Sequence, residues 1–368
     1  MTGPKRRLAV IFGGRSAEHE VSLASAQSVI EALDPERYEV LAIGIDKRGR
    51  WHRIRALPGR SEGGGALPDV RVEDGPGIAL ARQPGDRVLV DDDGTRNEID
   101  VVFPVLHGPY GEDGTIQGML ELAGIPYVGA GVLGSAVGMD KAVQKVLFAA
   151  AGLPVGPYEV VHEREWEEDR ESVEARVAGL GLPVFVKPAT LGSSVGITKV
   201  KTLDDLAAAM EEALSYARKA VVERSEEAAR EIECAVLGND DPVASVPGEV
   251  VVSDAEFYDY RAKYIDDGAE LEIPAKLSQE VTAEIQRMAV AAFRAIDAAG
   301  MARVDFFVRG PDEIILNEIN TIPGFTSISM YPKMWESSGL TYSELVDRLV
   351  ELAVERHEKE RKRGRTLS

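Results

Sequence analysis

Leu8-Ala9-Val10-Ile11-Phe12-Gly13-Gly14 sets the fold class: five apolar residues in a row, without alternation, end on two glycines. Such a run reads as a parallel strand buried on both faces and followed by a turn. Apolar residues at Val21, Ala24, Val29 and Leu33 then predict a helix closed by Asp34-Pro35, and Val40–Ile45 predicts a second strand. Strand, helix, strand opens a doubly wound layer. Residues 53–98, rich in Gly, Pro and Asp, read as an insertion with a short strand near Val88–Val90 rather than a domain. Val101–Leu106 resumes the buried pattern. The loop His107-Gly108-Pro109-Tyr110-Gly111-Glu112-Asp113-Gly114 therefore falls at the carboxyl edge of the sheet, where open α/β folds bind ligands. A helix over Thr115–Ala123 follows.

After Tyr127 the pattern changes. A helix over Asp140–Ala150, strands at Val184–Val186, Ile197–Val200 and Val221–Glu223, and a helix over Leu203–Ala217 predict a small α+β domain. Strands at Ala235–Leu237 and Val250–Val252 come next, then a polar aromatic loop at Phe257–Asp267 and a helix over Val281–Ala299. Two strands, Arg303–Val308 and Ile314–Asn320, and a helix over Tyr342–Glu355 complete the chain, with Lys359–Ser368 expected as a frayed tail. At 368 residues the chain exceeds what one core organises. The expected divisions are 1–138, 139–225 and 226–358, with 359–368 as tail.

Lys plus Arg number 42 and Asp plus Glu 62, a net charge of −20. That charge repels nucleic acid and anionic membranes, so an anionic ligand needs a local cluster of cations. Cys234 is the only cysteine, so no disulfide forms within the chain, and a reducing, cytoplasmic setting fits. With five His and one Cys, a structural zinc site has few ligands. No apolar run approaches the roughly 20 residues that span a bilayer, and Leu8–Phe12, after the short basic stretch Met1–Arg7, is too brief to be expected as a signal peptide's apolar region.

Four constellations carry chemistry. In Lys187-Pro188-Ala189-Thr190-Leu191-Gly192-Ser193-Ser194-Val195-Gly196 a lysine ends an apolar strand before a loop of small residues, whose N–H groups and hydroxyls suit phosphate oxygens. A hairpin with a snorkelling lysine is the plain alternative, and the Walker pattern is absent. Arg303-Val304-Asp305 and Glu318-Ile319-Asn320 put charge inside apolar strands. If the strands are neighbours, three oxygen donors and a guanidinium converge, the chemistry Mg²⁺ requires. The alternative is an ion pair of Arg303 with Asp305 or Glu318, which leaves Asn320 without a role. In Ser16-Ala17-Glu18-His19-Glu20 the serine is a good helix cap with acids at the helix start, or Glu18 holds a substrate ammonium. Phe257-Tyr258-Asp259-Tyr260-Arg261-Ala262-Lys263-Tyr264 is either a lid or an exposed loop.

Taken in order, Gly13–Ser22, His107-Gly108 with Gly111–Gly114, Met139-Asp140-Lys141, Lys187-Pro188 with Gly192–Gly196, Phe257–Tyr260 with Lys263-Tyr264, and Asn320–Ser327 resemble the D-alanine–D-alanine ligase family of the ATP-grasp superfamily. The resemblance covers nearly the whole chain. It implies an ATP-grasp fold: an N-terminal doubly wound parallel-sheet α/β domain, a small central α+β domain and a C-terminal α+β domain. It also implies a two-step reaction for peptidoglycan synthesis. ATP phosphorylates the carboxylate of one D-alanine, and the amine of a second attacks the acyl phosphate.

The resemblance also implies roles. Lys141 and Lys187 clamp the ATP phosphates, covered by Ser193 and Ser194. Asp305, Glu318 and Asn320 hold two Mg²⁺ (or Mn²⁺), and Lys263 reaches the γ-phosphate with Asn317 near the nucleotide. Arg303 and the backbone N–H near Gly324 stabilise the oxyanion, a donor typically worth roughly 3–4 kcal/mol of barrier. Glu18, helped by His107, binds the first D-alanine's ammonium, and Ser329 and Met330 hold the second one's carboxylate. Tyr264 and Ser193 bridge toward Glu18, while Glu223 and Glu231 meet adenine or ribose. Keeping Tyr264 favours an amine acceptor over D-lactate. After Glu223 the family usually has apolar residues, whereas here Arg224-Ser225-Glu226-Glu227 follows. The family also implies a homodimer through the N-terminal domain.

Overall fold

The structure is a computed structural model, and it describes residues 4–54, 75–80, 86–192, 194–252, 269–310 and 313–364. Strand β1 (Arg6–Gly13) lies at the centre of the first sheet, with Leu8–Phe12 at most 1% exposed. Helix α1 (His19–Ala32) leads to β2 (Tyr38–Ile45) and the antiparallel edge strand β3 (Trp51–Ile54). The segment read as an insertion holds β4 (Ile78–Leu80), β5 (Val88–Asp91) and β6 (Arg96–Glu98), a small antiparallel sheet whose Ile78 and Leu89 join the first layer's core. Strand β7 (Val101–Val105) pairs in parallel with β1, giving the order β3-β2-β1-β7.

Alternation on β1 explains the two faces of this sheet. Ala9 and Ile11 pack toward helix α2 (Thr115–Leu122), while Leu8, Val10 and Phe12 pack toward α1 and the end of the chain. Helix α3 (Val132–Met139), not foreseen in the sequence, precedes α4 (Lys141–Ala150), whose Asp140 caps it by accepting from the N–H groups of Ala142 and Val143.

The second layer runs from β8 (Tyr158–His162) through α5 (Glu163–Glu168) and α6 (Arg170–Leu180) to β9 (Val184–Pro188), β10 (Thr198–Val200), α7 (Leu206–Tyr216) and β11 (Lys219–Arg224). Its sheet is antiparallel in the order β10-β9-β11-β8. The helix expected from Leu203 begins with one 3₁₀ turn at Leu203–Asp205.

The third layer contains β12 (Arg230–Gly238), β13 (Val243–Ala244), β14 (Gly248–Val252), β15 (Ala269–Glu272), helix α8 (Gln279–Ala295), β16 (Gly300–Arg309) and β17 (Glu313–Asn320). The order is β15-β14-β12-β16-β17, antiparallel throughout, with β13 beside β12. Helix α8 stops four residues short of the predicted Ala299 because Asp297 turns into the left-handed region, at φ 57°, ahead of β16.

Helix α9 (Met330–Ser337) leads to α10 (Tyr342–Gly364). The expected fraying from Lys359 is corrected: the helix runs on to Gly364, and residues 365–368 lie outside the described residues. Lys359 bridges to Asp240 at 2.6 Å, and Arg361, Lys362 and Arg363 sit where the helix dipole favours cations.

Candidate active site

Period-two alternation divides the third sheet into an oily face and a charged one. Ile232, Cys234, Val236, Ala302, Val304, Phe306 and Val308 pack on α8 through Ile285, Met288, Ala289, Ala292 and Phe293. Glu231, Glu233, Arg303 and Asp305 have the opposite parity, and β12 and β16 set Glu233 beside Asp305. On β17, Ile314 and Leu316 belong to the oily face, so strict alternation would send Glu318 and Asn320 there too. The register shift between Asp305 and Phe306 prevents it: Phe306 faces Leu316, Asp305 faces Glu318, and Asn317 is the extra residue. Ile319 then enters the core, and Glu318 and Asn320 emerge beside Asp305 and Arg303.

Arg303, Asp305, Glu318 and Asn320 lie on facing stretches of β16 and β17. Arg303 grips Asp305 through Nε and Nη2, both at 2.7 Å, and its Nε lies 3.1 Å from Glu233. Asn320 Nδ2 donates to Asp305 at 3.1 Å. Lys141, at the start of α4, donates to Leu191 O at 2.8 Å and lies 3.2 Å from Glu318. The ion pair weighed for Arg303 is thus present, and it coexists with the cluster of oxygen donors. Two carboxylates and an amide on one polar face suit Mg²⁺, which takes few protein ligands and completes its shell with water and phosphate. Among the described residues no group of three or more His, Cys, Asp and Glu side chains stands ready for a metal.

Lys187, on β9, is buried and donates to Glu223 on β11 at 2.7 Å; Lys145 lies 3.2 Å from the other carboxylate oxygen. Burial pushes Glu223 up, but the two ammonium groups outweigh it and hold the carboxyl at about 2. Burial likewise opposes charge on Lys187, and Glu223, Glu318 and Glu231 raise it above the ordinary range. Lys145 also donates to Asn317 O at 3.3 Å, joining this pair to the bulge.

On the first sheet's carboxyl edge, Glu18 is 8% exposed. Ser16 does not cap α1, a correction to the sequence reading: the helix begins at His19, and Ser16 Oγ accepts instead from Glu18 N at 3.2 Å. The Ser16 hydroxyl therefore braces the loop that presents Glu18. Gly108 takes φ +77°, and a Cβ there would lie 2.9 Å from Glu18 Oε2; one on Gly192 would lie 3.3 Å away. Both loops need glycine to close around that carboxylate. His107 is buried, shares a hydrogen bond with Ser25 Oγ at 3.2 Å, and donates through Nδ1 to Ile322 O at 3.1 Å. Burial pushes its pKa down, so the ring is neutral.

Glu112, overlooked as a site residue, links the two halves. It accepts from Gly108 N at 2.8 Å, and burial and the Glu18 charge push its carboxyl up to about 8 against the pull of Lys141. Lys145 and Glu233 were also overlooked. The i, i+4 spacing of Lys141 and Lys145 signals the first; alternation in Glu231-Ile232-Glu233-Cys234 signals the second.

Other expected residues are placed as follows. Ser329 Oγ accepts from Thr326 N at 3.1 Å and shares a hydrogen bond with Thr326 Oγ1, while Met330 is buried in the core at the start of α9. Gly324 lies in the loop between Asn320 and α9. Ser194 is left-handed, at φ 58°. The unusual run after Glu223 turns inward at Glu226, which accepts from Arg309 at 2.6 Å. Ser193, Lys263 and Tyr264, with the loop 257–267, lie outside the described residues.

A family model described as the N-terminus of D-ala D-ala ligase matches residues 7–130, and one for the C-terminus matches 147–351. The D-alanine–D-alanine ligase of Thermoanaerobacter sp. (strain X514) is 52% identical over 357 residues, 96% of this chain and 98% of its own. That of Streptomyces griseus is 51% identical over 371 residues, 96% and 93% of the two chains. The solved D-alanine–D-alanine ligase of Coxiella burnetii superposes with TM-score 0.85 at 39% identity, covering 98% and 97%. VanG D-Ala:D-Ser ligase from Enterococcus faecalis gives 0.82 at 36%, covering 95% and 100%. The fold is that of the ATP-grasp enzymes, which are ATP-dependent ligases. Both halves carry one signature, and the chain belongs to the D-alanine–D-alanine ligase family.

Proposed function

We propose that the protein joins two D-alanine molecules at the expense of ATP, giving D-alanyl-D-alanine, ADP and phosphate. The carrying observation is the alignment of Asp305 with Glu318 and Arg303 with Asn320 on one face, with Lys141 at 3.2 Å from Glu318. Lys141 and Lys187 would bind the triphosphate, with Ser193, Ser194 and Lys263 covering it. Asp305, Glu318 and Asn320 would hold two Mg²⁺, or Mn²⁺. Magnesium bound there would offset charge on the transferring phosphoryl group.

Arg303, with the backbone near Gly324, would stabilise the oxyanion formed when the second amine attacks. Glu18 and His107 would orient the first D-alanine's ammonium, and Ser329 and Met330 the second one's carboxylate. Tyr264 would lock the covering loop toward Glu18 and favour an amine acceptor. Glu223, Glu231 and Asn317 would line the nucleotide pocket; Glu223 would exchange a lysine for adenine or ribose. Divisions near residues 138 and 225, a homodimer and a cytoplasmic setting complete the proposal. Among the described residues no helix is long and apolar enough to cross a membrane, and the charge of −20 disfavours nucleic acid.

Phosphate release from ATP, with D-alanine, L-alanine, D-serine or D-lactate supplied, tests this reading. Turnover with D-alanine alone, and D-alanyl-D-alanine recovered, is the expected result. Faster turnover when D-lactate or D-serine accompanies D-alanine would reassign the acceptor. ATP bound without turnover on any of these would overturn the reading.

A further inference from the structure

A cavity of about 600 Å³, apart from the site above, opens between the first layer and α10. Its charged lining is Arg87, Arg356, His357 and Arg361 against Glu121 and Glu360. Several of these are already engaged. The Arg356 guanidinium stacks 4.5 Å over the Tyr127 ring, donates to Tyr127 O at 3.2 Å and to Gly129 O, and lies 3.9 Å from Glu360. Glu121 accepts from the Tyr127 hydroxyl at 2.7 Å.

The remaining cations have no such balance. Arg87 Nη2 donates to His357 Nε2 at 3.0 Å, a cation against an imidazole. Among the described residues neither Arg87 nor Arg361 forms an ion pair with a carboxylate, unlike Arg7, Arg176, Arg309 and Arg348. Two unmatched guanidinium groups at one cavity run against the grain of a chain carrying −20. Arg87 also holds a left-handed backbone, φ 45°, a conformation that persists where the surroundings require it. Burial and the Arg87, Arg361 and Arg356 charges push His357 down, so the ring is neutral and its Nδ1–H remains a donor.

We propose that this cavity binds a phosphate group, free or as a small monoester, between Arg87, His357 and Arg361. Two planar guanidinium forks and a ring N–H match the oxygens of a tetrahedral dianion. The volume leaves room for an ester substituent beyond the phosphate. Because Arg87 belongs to the first layer and the other two to α10, the ligand would tie the last helix to the N-terminal half.

The test is a titration of inorganic phosphate and of glycerol 3-phosphate followed by ³¹P line broadening. The nucleotide site is first filled with magnesium and a non-hydrolysable ATP analogue, and ionic strength is matched with chloride. Saturable binding is expected, weakened about tenfold or more by Arg87→Ala and by Arg361→Ala, with ligase turnover unchanged in both. The tighter of the two ligands identifies the natural form. No saturable binding, or binding equal to wild type in the two variants, would overturn the proposal. Arg361 lies near the end of α10, so its variant reports even if Arg87→Ala misfolds. Filling the nucleotide site beforehand keeps the outcome independent of the ligase reading.

Discussion

Asp305 and Glu318 stand opposite each other on β16 and β17 only because Asn317 is an unpaired extra residue between Glu318 and Leu316. The same shift puts Ile319 among Val304 and Phe306 in the core. One inserted residue thus sorts oil from charge over three positions.

Deleting Asn317 should remove the bulge and keep the faces: Leu316 then precedes Glu318 directly, and plain alternation still sends Ile319 to the core and Glu318 and Asn320 toward Asp305 and Arg303. What the deletion takes away is the Asn317 carbonyl that accepts from Lys145, and a hydrogen bond to a charged group is worth roughly 1.5–3 kcal/mol. Denaturant midpoints should fall by about that amount. A variant that no longer folds would show that the sheet itself requires the bulge.

Glu318→Gln keeps the shape and removes the charge. Turnover should fall about 100-fold or more, with a higher magnesium requirement, and chelation should abolish turnover of the parent. An unaltered magnesium dependence would take Glu318 out of the metal set.

Lys145→Met leaves Glu223 with Lys187 as its remaining lysine partner in a buried setting. Stability should drop by about 3 kcal/mol, and adding Glu223→Gln should recover part of it. Denaturant midpoints of the two single variants and the double variant decide the matter; strict additivity would mean no coupling. Because Glu223 is held at about 2 against an ordinary 4.5, its contribution is present above pH 4.5 and fades as pH falls toward 2.

His107 titrates below its ordinary 6.5 because burial outweighs the opposing pull of Glu18 and the Ile322 carbonyl. The unfolded chain therefore takes up the proton first on acidification. Stability is full above pH 6.5 and declines below it. Urea midpoints at about pH 7.5 and about pH 5.5 should differ more in the parent than in His107→Gln. Equal differences would place the acid sensitivity elsewhere.

Much of this was legible before any coordinates. Leu8–Phe12 announced the parallel layer because a strand buried on both faces cannot alternate. Arg303, Asp305, Glu318 and Asn320 announced a charged face because charge within apolar strands needs a reason. Other features left weaker traces. Helices α5 and α6 bury only Trp166, Val173 and Val177 between them, so little periodicity marks them. Glu112 looked like one acid in a polar loop, and only the fold shows it enclosed near Glu18. No local pattern marked Asn317 as the extra residue, since a register depends on both partner strands.

Phe103 of β7 packs edge-on to Phe325 with centroids 5.9 Å apart, and Phe325 in turn meets Tyr342 of α10 at 5.6 Å. Leu8 and Val10 share that cluster with Leu345, Leu349 and Leu352. Strand β1 is therefore roofed by a helix more than 300 residues further along the chain. Neither element can finish its interior alone, so the layer around β1 stays uncovered until α10 docks.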